Sequence, residues 1–265
     1  MTQSRLDEVR RDLIAEQKSL DEVVAGIGDN QWCLATASPG WCVADQIGHL
    51  TYFDGTAAVA IDDPDAFRAG LDELIVLASR LGIDEVTLGA FRELAPADQL
   101  AEWRANRSTL AQSAATLREG TRVAWYGPSM SAASFLSARL METWAHGTDV
   151  AGALGRHLPA TSRLHHIVQI GYLTRRWSYS VHGEAPPAGR VRVEVESPDG
   201  ETWRFGDDDA DDVVRGPAED FCLVVTQRRH LDDTKLTTGE LGRHWLLRAQ
   251  AFAGGPSTGP EPRQP

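Results

Sequence analysis

The 265-residue sequence contains no long apolar segment and few cysteines. No stretch approaches the roughly 18 to 20 apolar residues that a membrane helix needs, and the N-terminal residues lack the apolar core of a secretory signal. The three cysteines, Cys33, Cys42 and Cys222, are an odd set without CxxC spacing, which argues against a disulfide framework and a thiolate zinc site. We therefore expect neither secretion nor membrane insertion, and predict a cytoplasmic protein.

Positive charge is also scarce. The 26 lysines and arginines are outnumbered by 38 aspartates and glutamates, giving a formal charge of −12. A field of this sign repels phosphate backbones and anionic lipids, so nucleic acid and membrane surfaces are poor partners. A small-molecule substrate fits this charge better. Composition and charge leave the oligomeric state open between a monomer and a homodimer.

The first part of the chain has the apolar periodicity of long helices. Apolar residues recur three or four apart over residues 6–24, 43–60, 100–117 and 131–154, with polar residues between them. Four such helices joined by loops predict a four-helix bundle over residues 1–160.

The pattern changes after about residue 160. Helix-like runs cover residues 164–177, 217–226 and 241–252. Between them, valines alternate with charged residues over 191–195, and a Ser-Pro-Asp-Gly turn leads to a returning strand at 201–205. A third strand is expected at residues 213–214. We therefore predict a mainly α fold with a smaller α+β unit over 161–253 and a disordered Gly/Pro-rich tail at 254–265.

One predicted bundle helix presents ionisable side chains where an apolar stripe is expected. The residues on this face are spaced three or four apart: Phe135, Arg139, Glu142, His146, Asp149 and Ala153. Burying such groups unpaired costs several kcal/mol, so they must be paired or bound to a metal. Glu142 and His146 are four residues apart, and a single cation can contact both side chains.

A second imidazole, that of His49, borders the apolar face of the helix predicted over residues 43–60. Two imidazoles and one carboxylate form a three-ligand set, the pattern of catalytic zinc with a position left for water or substrate. The alternative is that the Glu-x-x-x-His spacing arises by chance and the histidines are ordinary polar residues. Spacing alone does not decide between the two.

Two further residues of the stripe have candidate roles. Arg139, one turn before Glu142, could hold a substrate carboxylate as a catalytic residue, or could form a salt bridge to Glu142 or to a neighbouring helix. Asp149 could orient His146 by accepting its second ring N–H, or could make a surface interaction.

Two segments resemble the motifs of a known family. Residues 39–50, PGWCVADQIGHL, resemble the PGW-x-V-x-D-x-x-x-HL motif of the DinB-like, mycothiol-dependent maleylpyruvate isomerase superfamily, and residues 139–149 are similar to its E-x-x-x-H-x-x-D segment. The resemblance implies a DinB-like bundle in which His49, Glu142 and His146 bind a divalent metal. Zinc is the expected ion, nickel the alternative, and mycothiol a possible cosubstrate.

The resemblance extends into the C-terminal part. Residues 216–254 look like the domain of an actinobacterial subgroup described as metal-binding. The isomerases of the superfamily contribute an active-site arginine from their C-terminal domain, and Arg228 and Arg229 are the nearest candidates here for binding substrate.

Three functional hypotheses follow. The first is a metal-dependent isomerase or S-transferase that uses a thiol such as mycothiol on an electrophilic small molecule. The second is a Lewis-acid metalloenzyme that hydrolyses, cyclises or rearranges a specialised metabolite without a thiol. The third is a non-catalytic, metal-stabilised binding or stress-response module in which the polar stripe is structural.

Overall fold

The structure is a computed structural model that describes residues 4–263. Within them the chain divides into two compact units, between Leu158 and Pro159. Helices dominate and the sheets are small, which confirms the predicted mainly α fold with a smaller α+β part. None of the helices in residues 4–263 has the length and apolar character needed to cross a bilayer.

The first unit is built on four helices of 20 to 22 residues. These are α1 (Arg5–Val24), α3 (Val43–Asp62), α6 (Pro96–Thr116) and α7 (Ala132–Ala153). Shorter helices lie between them: α2 (Asp29–Trp32), α4 (Pro64–Leu81) and α5 (Ile83–Arg92). A short antiparallel hairpin precedes α7, with two residues in each strand: β1 (Arg122–Val123) and β2 (Met130–Ser131). It was not predicted from the sequence.

Local capping explains where the long helices begin. The Ser4 hydroxyl accepts the Asp7 backbone N–H at the start of α1, and the Ser131 hydroxyl accepts that of Ser134 at the start of α7. At α3, the Asp45 carboxylate accepts the Cys42 backbone N–H and an N–H from Arg92. Burial opposes the ionisation of Asp45, but these hydrogen bonds lower its pKa.

The four long helices pack as a closed ring in the order α1, α6, α3, α7. This ring is the predicted bundle, and α4 and α5 cover the outside of α3. Buried apolar residues from the ring and from α2 fill the interior: Leu20, Val24, Trp32, Val43, Ile47, Leu50, Trp103 and Val150. Since α3 and α7 are neighbours in the ring, side chains that face inward from both can meet.

The second unit combines short helices with a three-stranded sheet. Its helices are α8 (Leu164–Leu173), α9 (Arg175–Val181), α10 (Ala218–Val225) and α11 (Glu240–Leu246), with a 3₁₀ turn at Leu231–Asp233. Its strands are β3 (Val191–Glu196), β4 (Thr202–Phe205) and β5 (Asp212–Pro217), in the order β4-β3-β5. The predicted hairpin is present as the antiparallel pair β3 and β4, and β5 joins β3 in parallel.

Two helices of this unit differ from the prediction. The expected helix at 164–177 breaks at Thr174, whose hydroxyl donates to the Ile170 carbonyl and competes with continued helix. The expected helix at 241–252 ends at Leu246, because the following backbone pairs elsewhere. Gln250 N–H donates to the Ser178 hydroxyl and Ala251 N–H donates to the Val225 carbonyl.

Disorder is predicted for residues 254–265, of which 264 and 265 lie outside the described residues; residues 254–263 contain no helix or strand. The Ser257 hydroxyl donates to the side-chain oxygens of Gln227 and Gln250, at 2.8 and 3.2 Å. The first residues of this segment are therefore held against the second unit by side-chain hydrogen bonds.

Candidate metal centre

His49, Glu142 and His146 lie together in the first unit. Each offers one donor atom, and the three donor atoms are all within 4.8 Å of one another. Glu142 Oε2 is 3.1 Å from His146 Nε2 and 3.7 Å from His49 Nε2. Helix α7 supplies Glu142 and His146 from successive turns, and α3 supplies His49 from the adjacent position in the ring.

These distances suit a single divalent ion. Two ligands that each lie about 2.1 Å from a tetrahedral ion are about 3.4 Å apart. The observed separations of 3.1 and 3.7 Å bracket that value. Nitrogen and oxygen donors of this kind are typical ligands of zinc, and imidazole also suits nickel. The donor set therefore fits the ion that the sequence motifs imply.

The cluster is partly exposed. The side chains of His49 and Glu142 are 19% and 22% exposed, while that of His146 is 8% exposed. His49 and Glu142 are therefore the more exposed members of the cluster. Burial opposes the ionisation of Glu142, but the neighbouring imidazoles of His146 and His49 hold its pKa well below the ordinary value. The carboxylate is consequently in the form that binds cations.

Gln46 contacts the ring nitrogen of His146 that faces away from Glu142. The Gln46 side-chain oxygen lies within hydrogen-bond distance of His146 Nδ1. With Nδ1 donating to this oxygen, Nε2 is the ring nitrogen that faces Glu142 and is left to bind an ion. Gln46 therefore selects the tautomer that a metal ligand needs.

Asp149 belongs to the same hydrogen-bond network. The Gln46 amide nitrogen donates to Thr36 Oγ1 at 2.8 Å and to Ser38 Oγ at 3.1 Å. Ser38 in turn donates to the Asp149 carboxylate at 3.3 Å. Asp149, predicted to orient His146, thus connects to it through Ser38 and Gln46.

Aromatic rings surround the two imidazoles. The Trp41 ring lies 5.2 Å from that of His49 and stacks on that of His146 at 6.0 Å. On α3, the Phe53 ring lies 4.5 Å from the His49 ring. It also lies 5.4 Å from the ring of Tyr126, which is in the loop between β1 and β2. Trp41, Phe53 and Tyr126 are half-buried, and together they form an aromatic wall beside the two imidazoles.

Arg139 forms a buried ion pair with α3. Its Nε and Nη2 atoms donate to Asp54 Oδ1 at 3.2 and 2.8 Å, and the side chains of Arg139 and Asp54 are 3% and 0% exposed. Among the roles that the sequence leaves open for Arg139, this contact is the salt bridge to a neighbouring helix. Burial raises the pKa of Asp54, while the hydrogen-bond donors around it act in the opposite direction.

Glycines next to the two histidines allow neighbouring helices to pack closely. A Cβ atom added to Gly48 would lie 3.1 Å from the Phe91 Cβ atom, and one added to Gly147 would lie 3.1 Å from Leu158 Cδ1. Both distances are tighter than ordinary van der Waals contact. Small residues at these positions thus bring other parts of the unit against the turns that carry His49 and His146.

Arg228 and Arg229 lie in the second unit, directly after α10. Arg228 Nη1 donates to the Thr226 carbonyl at 2.7 Å, and Arg229 Nη1 is 3.0 Å from Asp220 Oδ1. Both side chains are half-buried. Their predicted role in substrate binding stays a prediction.

Sequence reasoning did not identify Gln46 and Asp54 as part of this region. Both lie on α3, three residues before and five residues after His49. Gln46 is completely buried, as is Asp54. The available signal was a polar residue at an inward position of α3, the same signal that marked Glu142 and His146 on α7.

The chain matches the family model of the mycothiol maleylpyruvate isomerase N-terminal domain over residues 13–151, which is more than half of its length. The chain therefore belongs to this family, as the two motifs indicated. Two uncharacterized proteins of Mycobacterium tuberculosis, from strains H37Rv and CDC 1551, are similar to it. Each is 43% identical over 251 residues, covering 94% of this chain and 96% of the relative.

Two solved structures share the fold. They are a mycothiol-dependent maleylpyruvate isomerase and a histidine-to-alanine mutant of that enzyme, with 14% and 12% sequence identity. In both cases the TM-score is 0.60, and the match covers 88% of this chain and 92% of the other. The likeness spans both units in sequence and supports the mainly α assignment with its smaller α+β part.

Proposed function

We propose that this protein is a metal-dependent enzyme that uses a low-molecular-weight thiol, mycothiol in the first instance, on an electrophilic small molecule. The reaction would be an isomerisation or an S-transfer, in which the thiol is joined to the substrate through its sulfur atom. The observation that carries the proposal is the convergence of His49, Glu142 and His146 from α3 and α7, with donor atoms at metal-ligand separations. The family match and the fold of the solved isomerases support the same reaction class.

His49, Glu142 and His146 would hold the ion. When bound, a divalent ion stabilises a thiolate near neutral pH and offsets negative charge that develops on a substrate oxygen. The protein supplies the rest of the arrangement. Gln46 keeps the His146 ring in one tautomer, and the exposed edge of His49 and Glu142 leaves a direction of approach.

The aromatic wall suits the proposed chemistry. Trp41, Phe53 and Tyr126 place apolar rings beside the imidazoles, and water excluded by these rings would strengthen electrostatic interactions there. Burial raises the pKa of Tyr126 beyond its ordinary value. Tyr126 therefore stays a neutral phenol and a hydrogen-bond donor at physiological pH, suited to an anionic or carbonyl oxygen of a substrate.

The proposal is tested by binding before activity. Full-length protein is freed of metal with a chelator and reloaded with zinc or nickel, and thiol binding to both forms is measured by calorimetry. We expect about one ion per chain and thiol binding that requires the ion. Turnover of maleylpyruvate is then assayed with and without mycothiol.

The outcomes separate the hypotheses. Thiol-dependent turnover or metal-dependent thiol binding supports the proposal. Metal binding without thiol binding redirects the function to Lewis-acid chemistry on another metabolite. Protein that takes up no ion during reloading contradicts the metal centre itself.

A further inference from the structure

All four long helices of the first unit converge on the carboxylate of Asp54. Arg139 of α7 donates to its Oδ1 atom. Gln17 of α1 and Trp103 of α6 donate to its Oδ2 atom, at 3.0 and 3.3 Å. Asp54 itself lies on α3, so a single buried group links every member of the ring.

This arrangement is poorly explained by stability alone. Taking two charges out of water is costly, and a buried ion pair contributes about as much as a well-packed apolar pair of similar volume. Apolar side chains could therefore replace Asp54 and Arg139 without loss of stability. Hydrogen bonds are directional, whereas apolar contacts are not. They can therefore fix the axial position and the rotation of one helix relative to another.

The pair is close in sequence to the candidate ligands on both helices. Arg139 precedes Glu142 by three residues, less than one helical turn, and Asp54 follows His49 by five. Each residue of axial sliding moves a helix by about 1.5 Å. A slide of that size would carry the His49 Nε2 atom away from its 3.7 Å separation from Glu142 Oε2.

We propose that Asp54 and Arg139 are a positioning pair that fixes the register of α3 against α7 and so keeps His49 within reach of Glu142 and His146. This role rests on the metal centre proposed above. It assigns Arg139 to holding the ligand-bearing helices together, and the substrate does not need to contact it.

The test compares two ion pairs of the same bundle. The control pair is Asp21 of α1 with Arg104 and Arg107 of α6, which joins two helices that carry none of the candidate ligands. Asp54→Asn keeps the size of the side chain and can still accept hydrogen bonds. Asp21→Asn makes the matched change in the control pair. Zinc affinity is measured by competition with a chromophoric chelator, and the melting temperature is measured on metal-free protein.

We expect Asp54→Asn to weaken zinc binding by about tenfold or more, as loss of groups that support metal ligands does. Asp21→Asn should lower the melting temperature and leave zinc affinity within about twofold of wild type. If both variants lose stability and neither loses zinc affinity, the Asp54 pair is structural only and the inference is wrong. Wild-type protein that binds no zinc contradicts the metal centre instead.

The double variant Asp54→Asn with Arg139→Met resolves the case in which Asp54→Asn alone does not fold. It removes both charges and avoids leaving the Arg139 guanidinium buried without its partner. We expect it to recover much of the lost melting temperature without recovering zinc affinity. Recovery of wild-type zinc affinity in this charge-free protein would overturn the positioning role.

Discussion

The side-chain oxygen of Gln46 contacts Nδ1 of His146, so the helix that carries His49 also orients the imidazole on the neighbouring helix. Residues 46 and 146 are far apart in the sequence, and their contact depends on the neighbouring positions of α3 and α7 in the ring. One helix thus supplies both a candidate ligand and the group that selects the tautomer of another.

Gln46→Leu should weaken metal binding by about 10- to 100-fold, because the His146 ring loses the acceptor that holds its lone pair on Nε2. Gln46→Glu retains an acceptor at the same position and serves as the control. The measurement is zinc affinity by chelator competition. Equal affinities for the two variants would show that the Gln46 contact does not tune the site.

His49→Ala and His146→Ala should each abolish stoichiometric metal binding, because both remove a donor atom of the three-atom cluster. His157→Ala is the matched control, since His157 is an exposed histidine of the same unit. Metal content after dialysis gives the answer. Metal retained at wild-type level by His146→Ala would exclude this residue as a ligand.

The affinity of the wild-type centre should also fall as the pH is lowered through the histidine range. Protons compete with the metal for the same imidazole nitrogens, so each histidine must lose its proton to bind. A calorimetric titration at several pH values measures this dependence. An affinity independent of pH would count against the two imidazole ligands.

Nickel or cobalt binding should quench part of the tryptophan fluorescence through Trp41. Its ring lies 5.2 Å from that of His49 and 6.0 Å from that of His146, which is close enough for efficient quenching by an open-shell ion. Trp41→Phe should remove most of the quenching, while Trp203→Phe in the second unit should preserve it. Equal quenching in both variants would place the ion away from Trp41.

Acid should destabilise the bundle in part through Asp21. Burial opposes the ionisation of Asp21, but hydrogen bonds from Arg104 and Arg107 outweigh it and lower its pKa below the ordinary value. A carboxylate whose pKa is lower in the folded state than in the unfolded state stabilises the fold. This stabilisation is complete at pH values above the unfolded-state pKa and is lost as the pH falls through the folded-state pKa.

Asp21→Asn should therefore cost about 1 kcal/mol at neutral pH, a value limited by the partial exposure of the pair. The difference from wild type should shrink below about pH 4. Urea unfolding of both proteins across this pH range is the measurement. A difference that grows on acidification would have the wrong sign for this ion pair.

Much of the candidate site could be predicted because it follows from local geometry. The i, i+4 spacing of Glu142 and His146 places both on one face of any helix, whatever surrounds it. Ionisable side chains at inward positions of a bundle helix make that face unusual in the sequence alone. Local geometry alone did not decide whether His49 is a ligand. That assignment depended on the resemblance of residues 39–50 to the family motif.

Helix ends in the second unit show the opposite case. The early end of α11 depends on hydrogen bonds to neighbouring elements, such as that from Gln250 N–H to Ser178, whereas the break at Thr174 involves its own hydroxyl and the Ile170 carbonyl. Apolar periodicity continues through both regions and predicts longer helices. Tertiary hydrogen bonds outweighed local propensity at the end of α11, and a side-chain hydrogen bond to the backbone did so at Thr174.

The sequence by itself therefore determined the helices, their inward faces and the two motifs that define the family, because these depend on side-chain spacing along one segment. Only the tertiary structure decided which groups pair across segments. Asp54 with Arg139 and Gln46 with His146 each join α3 to α7, and both contacts are set by the order and register in which the helices pack. Spacing along a helix specifies a direction for each side chain, whereas the identity of its partner depends on what the fold places in that direction.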